Sequence, residues 1–293
     1  MGSDPLRFYS SHSRMTDPGE EAHSFEGLPH EIPPLRDVVQ GLIVHVLWAR
    51  RYGLNITEGK EQELQIRSVE EKLRQIRKLD DRPVTYPRPP GSRLVGNCRD
   101  FSIMLCSMLR TQGVPARARC GFAKYFAPNH YEDHWICEYW GGSGRWIMVD
   151  AQLDALQRER LGIAFDVLDV PQGEFLPGGR AWEMCRLKKA DPDIFGILDM
   201  HGMWFVRGNL IRDLASLNKV ELLPWDAWGL VDKDEKGLSE SDMALLDRAA
   251  AVTQADNKFE EVRSIYEENP ELRVPAVIRS YAKGGPQDVE IKS

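Results

Sequence analysis

The sequence predicts an α+β fold in which one central helix packs on a small antiparallel sheet, preceded by two helices and extended by an irregular, α-rich C-terminal half. Three observations predict it. After Asn97 the apolar residues Phe101, Met104, Leu105, Met108 and Leu109 recur at spacings of three and four and stop at Gly113, with Pro115 just beyond. Downstream, residues 116–126, 134–140 and 145–150 are short runs rich in aromatic and branched residues; Gly141-Gly142-Ser143-Gly144 separates the last two. Upstream, two longer patterns carry apolar residues at helical spacing.

Taken in chain order, residues 1–33 mix Ser, Pro, Gly, Asp, Glu and His without hydrophobic period and predict a flexible arm outside the fold. From Pro34, Val38, Leu42, Val46 and Ala49 predict one helix that runs to Gly53. Glu61 to Leu79 sets Leu64, Val69, Leu73 and Ile76 in a stripe among charged residues, an amphipathic surface helix. Asp80 to Ser92 holds four prolines and reads as a loop. Residues 151–230 carry four tryptophans among Gly and Pro breaks, which predicts packed loops and short helices over the sheet. The remainder predicts helices at 239–252 and 256–268. The division that follows is an arm (1–33), a domain (34–230) with its motif core at 94–154, and a polar helical tail (231–293).

Composition narrows the class. The 293 residues are 42% hydrophobic and 28% charged, ordinary for a globular chain and unlike a disordered or collagenous one. A net charge of −7 argues against reliance on nucleic acid or an anionic membrane surface. The longest apolar stretch, Val38 to Ala49, is broken by Gln40 and His45, and the start lacks the apolar run of a secretory signal. A cytoplasmic protein with reduced thiols is therefore expected, since five cysteines cannot all pair.

The chemistry concentrates in Gly96-Asn97-Cys98-Arg99-Asp100-Phe101, Gly113-Val114-Pro115-Ala116-Arg117, Asp133-His134-Trp135 and Trp146-Ile147-Met148-Val149-Asp150. Cys98 falls in the first turn of the central helix, where free N–H groups and the helix dipole favour a thiolate. His134 is the candidate base, because histidine exchanges a proton near neutral pH without a large shift. Asp150 is the candidate carboxylate that fixes the imidazole tautomer.

These motifs resemble the transglutaminase-like superfamily over about residues 94–154, in the form of a bacterial-type transglutaminase-like domain. The resemblance implies a papain-like core and the roles of nucleophile for Cys98, general base and acid for His134, and orienting carboxylate for Asp150. It further implies thiol-dependent acyl transfer or hydrolysis of an amide or ester, as in a peptidase, deamidase, transglutaminase or peptide N-glycanase. The expected partner is a peptide, protein or small amide substrate, with no cofactor, metal, nucleic acid or membrane. Trp135 follows the histidine immediately rather than one residue later, and Ala151-Gln152 stands where the family often has proline. A non-catalytic scaffold that keeps the core is the alternative.

Strand parity gives a check that is independent of family. For His134 to oppose Asp150 directly, Trp140 must oppose Gly144 across a three-residue loop; an even loop without a bulge would send the pair to opposite faces. Two metal readings are set aside. His130-Tyr-Glu-Asp-His134 lacks the spacing of helical zinc proteases. The stretch Asp232 to Met243 puts Lys236 and Met243 where a calcium loop needs oxygen ligands.

Overall fold

A computed structural model describes residues 4–291. The described residues form two compact units, one of Asp4–Ala118 with Trp135–Val170, the other of Arg119–His134 with residues 171–291. The chain passes from one unit to the other after Ala118 and after His134, both within strands, and after Val170, in a loop.

The first unit opens with α1 (Pro5–Ser10) and a 3₁₀ turn at Gly19–Phe25, where composition predicts a flexible arm. Tyr9 is 2% exposed and sits edge-on to Trp146 at 5.4 Å. The Thr16 carbonyl accepts from Ser107 Oγ at 2.6 Å, its Oγ1 accepts from Arg110 Nη1 at 2.7 Å, and the Met15 carbonyl accepts from Val69 N. Scattered anchors such as Tyr9, Met15 and Phe25 leave no periodic signature, so periodicity passes over a segment that tertiary contacts hold.

The helix predicted to reach Gly53 is three elements. Helix α2 (Ile32–Leu42) ends where Ile43 and Val44 begin strand β1 (Ile43–His45), and a 3₁₀ turn follows at Val46–Tyr52. Adjacent β-branched residues fit a pleated strand better than a helix. The second predicted helix is also divided, into α3 (Glu58–Glu61), a 3₁₀ turn at Gln62–Gln65, and α4 (Val69–Leu79), which Ser68 caps by accepting from Glu71 N. Strand β2 (Leu94–Gly96) pairs in parallel with β1 and leads into α5 (Cys98–Thr111).

Helix α5 is buried at every position from Cys98 to Arg110 and packs against α1, α2, α4, β1 and β2. It is the predicted central helix, and a helix enclosed all round needs partners for its polar groups. Arg110 Nε donates to the Ala116 carbonyl, and Cys106 Sγ lies 3.2 Å from Cys137 Sγ. Strands β3 (Ala116–Ala123) and β4 (Tyr131–Trp140) run through both units, and β5 (Trp146–Val149) pairs antiparallel with β4 in the first. Helix α6 (Ala155–Leu161) follows, capped by Asp154 and ended by Gly162 in the left-handed conformation.

The second unit builds the rest of the main sheet. Its elements are β6 (Phe175–Pro177), α7 (Gly178–Arg186), β7 (Phe195–Ile197), β8 (Met200–His201), α8 (Met203–Leu217), β9 (Asp226–Ala227), α9 (Gly229–Asp232), α10 (Glu240–Thr253), α11 (Phe259–Glu268), β10 (Val277–Ser280) and β11 (Gln287–Glu290). The sheet order is β6-β3-β4-β7-β8, and β9, β10 and β11 form a separate antiparallel sheet. Gly121 admits the close approach of β6: a Cβ there would lie 2.1 Å from the Leu176 carbonyl oxygen.

Helix α8, central to this unit, escapes periodicity because Asn209, Asp213 and Ser216 interrupt its stripe and yet are buried. Asp213 is clamped by Arg119, with Nε to Oδ1 at 2.9 Å and Nη2 to Oδ2 at 2.8 Å, and also accepts from Cys120 N. The predicted polar tail packs into this unit through α10 against α7 and α8, and it ends in strands as well as helices.

Candidate functional site

Cys98 is the first residue of α5, 6% exposed, behind an extended Asn97 at the N-cap. The Asp100 carboxylate accepts from Asn97 N at 3.0 Å, which fixes the chain's entry into the helix. Gly96 leaves room for that carboxylate; a Cβ would come within 2.9 Å of Asp100 Oδ2. Asp100 also accepts from Lys72 Nζ at 2.9 Å and Arg99 Nη1 at 3.0 Å, and all three side chains are fully buried. Burial pushes the Lys72 ammonium below its ordinary pKa, and the Asp100 charge opposes that fall. Lys72 Nζ donates in addition to the Ile66 carbonyl at 2.6 Å, and Arg99 Nη2 to the Arg67 carbonyl at 2.8 Å. The first turn of α5 thus stands on a buried cluster of two cations and one carboxylate.

His134 lies on β4 in the other unit and is 1% exposed. Aromatic edges and faces enclose its ring: Phe126 at 4.9 Å, Tyr125 at 5.9 Å and Phe175 at 6.5 Å between centroids. The preceding Asp133 faces the other side of the strand, where its Oδ1 accepts from Asn209 Nδ2 at 2.8 Å. Burial raises the Asp133 carboxyl, and the Asn209 amide counters part of that rise.

Asp150 follows the end of β5 and is 1% exposed. Its Oδ1 accepts from Gln152 N at 3.0 Å, and its own N–H donates to the Val167 carbonyl at 2.9 Å. The β4–β5 register pairs Trp140 with Trp146 and Cys137 with Val149. The connection is therefore the five residues Gly141 to Arg145, two longer than direct opposition of His134 and Asp150 requires, and still odd. Counting on in the same register, position 150 falls opposite 136, so alternation gives positions 134 and 150 the same parity.

Sequence reasoning missed the polar groups beyond Asp150. Gln152 Nε2 donates to Gln157 Oε1 at 3.1 Å, Gln157 Nε2 to Tyr52 Oη at 3.1 Å, and Tyr52 OH to Asp154 Oδ2 at 2.7 Å. They line a small polar cavity of about 200 Å³, its open mouth included, with His45, Arg93 and Phe101. Burial pushes the Tyr52 phenol up and the Arg93 guanidinium down. No spacing signal could pair Tyr52 with residues about a hundred positions away.

Among the described residues no group of three His, Cys, Asp or Glu could hold a metal ion, and His130 Nε2 lies 3.3 Å from the Gly196 carbonyl oxygen. No helix among them is long and apolar enough to cross a membrane.

Residues 52–151 match the transglutaminase-like superfamily. The match opens at Tyr52, takes in the whole of α5 and the β4–β5 hairpin, and closes just after Asp150. The mixed α+β architecture accords with a transglutaminase-like core, whose superfamily chemistry is generally cysteine-based acyl transfer or hydrolysis. No curated protein matches the chain.

Proposed function

We propose that this protein is a cysteine-nucleophile hydrolase or acyltransferase in which Cys98, His134 and Asp150 act as a triad. The observation that carries the reading is Cys98 at the head of a buried, firmly capped helix inside the transglutaminase-like segment. His134 takes the thiol proton as sulfur attacks the carbonyl carbon of an amide or ester. The resulting oxyanion draws on the Cys98 backbone N–H. Collapse breaks the bond to the leaving amine or alcohol, which receives the proton from His134, and leaves a thioester on Cys98. Water or an amine then attacks the thioester, His134 again carrying the proton, and releases acid or a new amide. Asp150 holds the imidazole in the tautomer this cycle needs. The substrates that suit such chemistry are a peptide bond, a glutamine side chain or a glycosylated asparagine amide, in a reducing, cytoplasmic setting that keeps the thiol free.

The near-complete burial of Cys98 and His134 favours one other reading, a scaffold that keeps the core without turnover. The pH profile of Cys98 alkylation separates the two. An activated thiol reacts with a midpoint well below the ordinary value of about 8.5 and loses that advantage in His134→Ala. Identical profiles in the parent and the variant would leave the scaffold reading standing.

A further inference from the structure

Strand β4 alternates its side chains in a way that isolates one carboxylate. Tyr131 and Asp133 share a face: the Tyr131 ring stacks on Phe195 at 4.8 Å, and Asp133 is bonded to Asn209 of α8. Glu132 and His134 take the opposite face, about 7 Å apart along the strand. Asp133 on the first face has found its partner. Glu132 is partly buried on the second; its backbone pairs with β7, while its carboxyl makes no hydrogen bond or ion pair among the described residues.

Such a group is costly unless something answers it. Burial raises the Glu132 carboxyl, and the imidazoles of His134, on the same face, and His130 oppose part of that rise. Tyr125 and Phe126, both partly exposed, lean against the same His134 ring. Aromatic faces attract cations, as does a partly desolvated carboxylate. Both select one ligand chemistry.

We infer that Glu132, with Tyr125 and Phe126, receives an ammonium or guanidinium group of the substrate beside His134. The inference rests on the proposed Cys98–His134 pair and narrows its substrate class to amides or acyl acceptors that carry a cation near the reacting centre. A peptide with a basic residue next to the bond attacked fits, its cation being held while the neutral carbonyl reacts. Glu132 acts as a specificity residue; it transfers no proton in the cycle.

Three methanethiosulfonates that differ in charge test this with one chemistry. The Cys98 thiolate attacks the sulfenyl sulfur, a mixed disulfide forms and methanesulfinate leaves, whether the group carried is trimethylammonium-ethyl, methyl or sulfonatoethyl. Rates at Cys98, read by peptide mass spectrometry, are divided by those of a free model thiol. The expected cationic-to-neutral ratio is about tenfold above the model thiol, the size of one nearby charge in a partly screened site. In Glu132→Gln it falls to that of the model thiol, and in Glu132→Lys the sulfonate reagent becomes the preferred one. A parent ratio equal to the model thiol, or one that survives Glu132→Gln, overturns the inference. The neutral reagent, compared between the parent and His134→Ala, judges the thiol–imidazole pair separately, so failure of that pair and failure of the cation preference give different results.

Discussion

Asp100→Ala removes the carboxylate on which the first turn of α5 stands. In the parent that group accepts from Lys72 Nζ at 2.9 Å, Arg99 Nη1 at 3.0 Å and Asn97 N at 3.0 Å, with no solvent reaching the three charged side chains. Hydrogen bonds to a charged group are worth about 1.5–3 kcal/mol each, so three lost together set an upper bound of about 9 kcal/mol, comparable to the whole stability of many domains. Two features reduce the cost. Lys72 and Arg99 each keep a backbone carbonyl, those of Ile66 and Arg67, and Lys72, already pushed toward its neutral form by burial, can release its proton once the counter-charge is gone. The expected loss is about 3–5 kcal/mol, the size found when one partner of a buried ion pair is removed.

Urea unfolding followed by tryptophan fluorescence and circular dichroism reads it, and coincident transitions license a two-state fit. Lys72→Met in the Asp100→Asn background removes a buried ammonium together with its counter-charge. The double variant should therefore lose less than the two single variants combined, with a coupling of at least ~1.5 kcal/mol. A loss below ~1 kcal/mol for Asp100→Ala, or additivity within ~0.5 kcal/mol, would refute the view that these charges form one unit.

Two further outcomes test other parts of the structure. Burial raises the Asp133 carboxyl above its ordinary 3.8, so the native state keeps that proton to a higher pH than the unfolded chain does. The stability it contributes is full below the unfolded value and is lost as pH rises through the raised one; Asp133→Asn should flatten this acid-side fall, and an unaltered slope of urea midpoints against pH would contradict it. Tyr9→Ala should destabilise the protein by about 3 kcal/mol, because the ring is buried against Trp146, with Arg117 over its face at 5.6 Å; a change near zero in thermal or urea unfolding would return residues 4–31 to the status of a loose arm.

What the sequence alone determined is the local part of the design. Helix α5 announces itself because its apolar period, the glycine beyond its end and the cysteine at its start lie within one short stretch. The β4–β5 hairpin does so because glycines interrupt two aromatic-rich runs, and the parity of positions 134 and 150 follows from strand alternation once the loop is known to be odd. Cys98, His134 and Asp150 could be singled out as candidates for the same reason: each lies beside a recognisable element boundary or strand pattern.

The tertiary structure decided everything that depends on partners distant in the chain. Ile43 to His45 became a strand because Leu94 to Gly96 lies alongside it, and the N-terminal segment is held by Ser107, Arg110 and Trp146. Helix α8 can bury Asn209 and Asp213 because Asp133, Gly121 and Arg119 meet them. The polar chain from Gln152 through Gln157 and Tyr52 to Asp154 joins residues about a hundred positions apart. Periodicity records which face of an element is apolar. It holds no record of which polar groups will find each other once water is excluded, and here that pairing sets both the footing of α5 and which carboxylate, that of Glu132, has no hydrogen-bond partner among the described residues.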